Sequence, residues 1–76
     1  MADLDDDMGT ISLRQKSSGE VFTADWEVVD GYLYLSHPDY WFAPMKLLPG
    51  KSNGGNAKWA MKELIAAIKL GTARKK

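Results

Sequence analysis

The sequence predicts an α+β domain: a three- or four-stranded antiparallel β-meander packed on one face by a C-terminal α-helix. Three observations carry that expectation. Asp30-Gly31 stands between two β-prone runs, and Asp-Gly in that setting is the strongest short-range hairpin signal. A second turn, Lys16-Ser17-Ser18-Gly19, lies between runs that also alternate apolar and polar residues, and it gives an independent register. Beyond these, Ala57, Ala60, Met61, Leu64, Ile65 and Ile68 share one face at 100° per residue, as in a helix covering a sheet.

A chain of 76 residues is a single domain, near the size at which one core is only just sufficient. It has no cysteine, so neither a disulfide framework nor a thiolate metal site is available. No run approaches the ~18 apolar residues of a membrane span, and the opening Met1-Ala2-Asp3-Leu4-Asp5-Asp6-Asp7 is the reverse of a signal peptide's basic, then apolar, start. The expectation is a cytoplasmic protein with no membrane partner.

Taken in order, residues 1–8 carry four carboxylates and read as a disordered acidic segment, suited to shielding a basic surface. The folded domain is expected over residues 9–71. Residues 10–15 alternate Ile11 and Leu13 with Ser12 and Arg14, a strand. The four-residue loop after it sets Leu13 opposite Phe22 and Ile11 opposite Ala24. The next strand spans residues 20–29, and the two-residue turn then sets Val29 opposite Tyr32, Val28 opposite Leu33, Glu27 opposite Tyr34 and Trp26 opposite Leu35. One face reads Phe22, Ala24, Trp26, Val28, Leu33, Leu35, a core. The other reads Thr23, Asp25, Glu27, Val29, Tyr32, Tyr34, a surface. The two turns assign the same residues to the core, and such agreement supports the sheet.

His37-Pro38-Asp39 turns the chain after residue 36. Residues 40–48 contain a short fourth strand at a sheet edge, since Pro44 has no N–H for a ladder. Residues 49–56, with three glycines, read as a flexible loop. Asn56 is read as the N-cap of a helix over residues 57–70, with Gly71 just past its end. Residues 72–76 form a basic tail with no apolar reason to pack.

Net charge is zero but unevenly spread. Residues 1–45 carry two basic against nine acidic side chains, a net −7, and residues 46–76 carry eight basic against one acidic, a net +7. Such asymmetry points to an anionic partner for the basic half. The plainer account is that the halves neutralise each other across the fold.

Two surfaces follow. Lys51, Lys58, Lys62 and Lys69, with Arg74, Lys75 and Lys76, are candidate phosphate or nucleic-acid contacts. Lys58, Lys62 and Lys69 fall within about 40° of one another on a helix, and phosphate backbones are held by such stripes. Residues 50–58 add glycines and helix N-terminal amides of the kind that bind anions. An ordinary solvated lysine face explains the same pattern. The second surface comprises Asp25, Glu27, Tyr32, Tyr34, Trp41 and Trp59, candidate protein contacts in which aromatic area lies beside acidic charge. Against this, tyrosine is a good strand residue, and Trp59 is expected to fold back over residues 40–42.

A meander followed by a C-terminal helix with Lys58-Trp59-Ala60-Met61-Lys62 near its start resembles the C-terminal half of double-stranded-RNA-binding domains. The resemblance implies phosphate contacts by those lysines. It covers only the last part of the chain, which has no segment matching that family's N-terminal helix. Two other motifs are set aside. Gly50-Lys51-Ser52 ends a phosphate-loop pattern, but Met45 occupies the first glycine position and no βαβ unit fits. His37-Pro38-Asp39 is the tripeptide of co-chaperone J-domains, where it joins two helices; here it follows a strand.

One histidine and no cysteine nucleophile leave no triad or metal-ligand spacing, so no catalytic residue, metal or cofactor is assigned and the chain does not read as an enzyme. His37 with Asp39 forms an acid-base pair only in a pocket that so short a chain hardly encloses. The expected function is a small binding or regulatory module acting through protein-protein contacts, with another protein or as a homodimer in which an edge strand is covered. The alternative is nucleic-acid binding through the basic stripe and tail.

Overall fold

The computed structural model describes residues 7–76. The disorder expected of residues 1–8 thus falls mostly outside the described residues, and the first strand, β1 (Met8–Arg14), already begins at Met8. It is followed by β2 (Val21–Val29), β3 (Tyr32–Ser36), β4 (Tyr40–Trp41), β5 (Met45–Lys46), α1 (Asn53–Leu70) and β6 (Arg74–Lys75). An antiparallel sheet in the order β1-β2-β3-β5 packs against α1, the α+β arrangement that the turns and the helical stripe predict.

Both hairpin registers are as expected. Leu13 faces Phe22 and Ile11 faces Ala24 across β1 and β2. Trp26 faces Leu35 and Val29 faces Tyr32 across β2 and β3. The Asp30-Gly31 turn has φ of 51° and 80°, positive at both positions as a type I′ turn requires, and glycine and aspartate are residues that accept it. Phe22, Ala24, Trp26, Leu33 and Leu35 are buried against Ala57, Ala60, Met61, Leu64 and Ile65 of the helix, with Val28 and Ile68 partly buried beside them.

Four expectations are corrected. The helix begins four residues before residue 57, and its N-cap is Ser52, whose Oγ accepts the Gly55 N–H at 3.0 Å. Asn56 is instead fully buried inside the first turns, its amide bonded to the preceding loop. The Asn-Gly-Gly composition reads as loop because glycine disfavours helix interiors, but the cap offsets this where helix amides have no partner in any case. The C-terminus is as expected: Gly71, at φ 76°, donates to Ile68 O at 3.1 Å and Thr72 to Ala67 O at 2.9 Å, a Schellman closure.

The segment of residues 40–48 is not one strand but two. β5 pairs with the edge of β3, while β4 leaves the main sheet, and Pro44 lies between them. The tail packs after all. Arg74 and Lys75 pair with Trp41 and Tyr40, Ala73 rests on the core, and Lys76 N–H donates to Asp39 O at 3.0 Å. Gly71 reverses the chain, and that reversal delivers residues 73–76 to the free peptide groups of residues 39–41.

Among the described residues, no helix is long and apolar enough to cross a membrane.

Candidate functional site

Alternation in β1, β2 and β3 leaves one face of the sheet uncovered by the helix. Cross-strand rows on that face are set by the register. Met8, Glu27 and Tyr34 form one row, and Thr10, Asp25 and Ser36 the next. Val29, Tyr32 and Lys46 form a row on the other side of the first. Met8, Val29, Tyr32 and Tyr34 are all more than 40% exposed, so this is a contiguous patch of apolar and aromatic area around Glu27. It is also partly organised in advance. Thr10 Oγ1 donates to Asp25 Oδ1 at 2.8 Å, and the Ser12 and Thr23 hydroxyls lie 2.8 Å apart, so these side chains have fewer rotamers to lose on binding.

The structure therefore brings together Asp25, Glu27, Tyr32 and Tyr34 of the expected protein-binding set, and separates the other two. Trp41 lies on β4, outside the main sheet, 59% exposed, with the Lys76 ammonium 4.7 Å from its ring centroid, a cation-π arrangement. Trp59 is on the helix and 38% exposed. Met8 and Val29 join the patch without having been singled out by residue type; the register alone identifies them.

The basic residues divide as well. Lys62 and Lys69 line an open groove of about 510 Å³ between the helix and the end of β1, together with Leu13, Arg14, Gln15, Lys16, Ile65 and Ala66. Among the described residues that line it there is no carboxylate. Arg14 and Lys16 belong to the acidic half of the sequence, so only the pairing of β1 beside the helix reveals four cations at one place. Lys58 is the sixth residue of the helix, not part of its first turn, and Lys51 precedes the cap. The Gly55 amide there is already taken by Ser52, which removes one donor from the anion-binding loop expected of residues 50–58. Arg74 and Lys75 line a different depression with Trp41, Phe42 and Pro44, so the stripe does not continue into the C-terminal residues.

His37 is buried. Its Nδ1 accepts the Asp39 N–H at 3.0 Å, and its ring stands 5.5 Å from that of Tyr40 and 6.5 Å from that of Phe22. The imidazole thus closes its own turn through the Asp39 backbone, a use that ties up one nitrogen and leaves the Asp39 carboxylate outside the bond.

Comparison with protein-family models, curated proteins and solved structures finds no match to the chain.

Proposed function

We propose that the protein is a small non-enzymatic binding or regulatory module that acts through protein-protein contacts made by the open face of its sheet. The observation that supports this most directly is the exposed cluster of Met8, Val29, Tyr32 and Tyr34 around Glu27. Tyrosines on a rigid sheet offer contact area at small entropic cost, and the carboxylates of Asp25 and Glu27 select for a partner with basic side chains at its rim. Such a face needs no pocket.

A second reading is binding of an anionic polymer, nucleic acid first among them, through the groove lined by Arg14, Lys16, Lys62 and Lys69. The absence of any carboxylate among the described residues that line that groove favours it. The two readings separate in one pair of variants. Contacts led by the tyrosine face are expected to be lost in Tyr32→Ala/Tyr34→Ala and to survive Lys58→Glu/Lys62→Glu and a rise in salt. Phosphate-led binding has the opposite pattern. An amide NMR titration with short single- and double-stranded DNA and RNA, at low and moderate salt, tests the second reading: shifts at Lys16, Lys62 and Lys69 that fade with salt support it, and no shift at low salt removes it.

A further inference from the structure

The two edges of the main sheet are built differently. On one side the edge is β5, two residues long and next to Pro44, a blunted edge of the kind that resists pairing. The other is β1, seven residues with neither proline nor lysine among them. Gln15 N–H donates to Glu20 O at 2.7 Å and Val28 N–H to Asp7 O at 2.6 Å, so the odd-numbered residues of this strand aim their peptide groups at β2. By the alternation of an antiparallel ladder, Met8, Thr10, Ser12 and Arg14 aim theirs outward. Among the described residues no strand lies beyond that edge.

Charge runs along the same strand. Asp5, Asp6 and Asp7 precede its start, and its end enters the groove lined by Arg14, Lys16, Lys62 and Lys69. Asp7 and Lys16 stand beyond opposite ends of the strand, nine positions and roughly 30 Å apart at ~3.3 Å per residue.

We propose that a second copy of this chain pairs with the β1 edge, antiparallel, about a two-fold axis at Ile11. This register pairs Thr10 with Ser12 and Met8 with Arg14 of the second copy, so all seven residues of the strand take part and every outward peptide group finds a partner. The two sheets become one. Ile11 meets Ile11 of the other copy on the helix side, extending the core across the junction. Continuing the register sets Asp7 of each copy opposite Gln15 of the other and beside its Lys16, so the end of the strand that follows the acidic run Asp5-Asp6-Asp7 meets the end whose groove is lined by Arg14, Lys16, Lys62 and Lys69. Parallel pairing in register would set like charges together at both ends, so the charge pattern selects the antiparallel arrangement. The contact is self-complementary, as a two-fold interface must be. It uses the edge and the groove and leaves Val29, Tyr32 and Tyr34 of the open face uncovered, so its failure and that of the proposed function are separate results.

Sedimentation equilibrium of the whole chain is the test, with Lys16→Glu/Lys62→Glu and Asp5→Lys/Asp6→Lys as variants, each shown to be folded by circular dichroism. The wild type is expected to dimerise with rising concentration. Each variant alone puts like charges together at both ends and is expected to weaken the dimer about tenfold or more. An equimolar mixture of the two restores opposite charges at both ends and is expected to regain it. Hydrogen exchange at the Thr10 and Ser12 amides is expected to slow as concentration rises. A wild type that stays monomeric, variants that dimerise as well as the wild type, a mixture that fails to associate, or a monomer whose groove takes up an oligonucleotide or acidic peptide instead, each overturns the proposal.

Discussion

Gly9 and Trp26 face each other across β1 and β2, with the indole ring lying where a side chain at residue 9 would stand. A Cβ built on Gly9 falls 3.0 to 3.1 Å from three ring atoms of Trp26. Trp26 is buried in the core, so its ring has little room to withdraw. Gly9→Ala is therefore expected to destabilise the fold by about 1 to 3 kcal/mol through overpacking, read as a lower urea midpoint. A neutral or stabilising result would show that the ring shifts freely.

Asn56 ties the helix to the loop before it. Its Oδ1 accepts the Leu48 N–H at 2.7 Å and its Nδ2 donates to Ser52 O at 3.0 Å, with no exposure to water. Asn56→Ala strands a part-buried amide and a carbonyl, and the expected loss is about 1 to 3 kcal/mol. For a domain of this size that is a fall in melting temperature of roughly 4 to 8 °C per kcal/mol. If Asn56 were only an exposed N-cap, substitution by glycine would cost only a few tenths of a kcal/mol; a fall of several degrees for both Asn56→Ala and Asn56→Gly separates the two.

Leu64 sits at the centre of the helix's core face, 2% exposed. Removing its branched end leaves a cavity between α1 and the sheet, a change that costs about 2.7 to 5 kcal/mol elsewhere. In a small single-core domain this is a large part of the total. Leu64→Ala is expected to be largely unfolded by near-ultraviolet circular dichroism, and a variant with native spectra and melting would sink this placement of the helix.

The β4-β6 pair gives a prediction about dynamics. Deleting residues 74–76 removes the strand partner of Tyr40 and Trp41, the Lys76 bond to Asp39 and the cation over the Trp41 ring. Amide exchange is expected to accelerate over residues 39–42 while the β1-β2-β3 amides keep their protection. Unchanged exchange at Tyr40 and Trp41 would mean that the pair adds no local stability.

The sequence by itself determined what depends on near neighbours in the chain. The Asp30-Gly31 turn demands positive φ twice, the Lys16–Gly19 loop has a defined length, and together with period-two alternation they assign Phe22, Trp26, Leu33 and Leu35 to the core. The helical stripe and Gly71 follow from the same local logic. Tertiary structure alone decided what depends on residues far apart. Ser52 caps the helix, and Asn56 is drawn inside, because the Leu48 amide needs a buried acceptor. Gly9 faces an indole ring, which no pattern around residue 9 announces. Residues 74–76 look like a charged tail until Gly71 turns them onto β4, where unpaired peptide groups wait. Arg14 and Lys16 join Lys62 and Lys69 only when β1 lies beside the helix. Turn chemistry and periodicity are written in the order of residues, whereas a groove and its charge exist only once distant segments have been packed together.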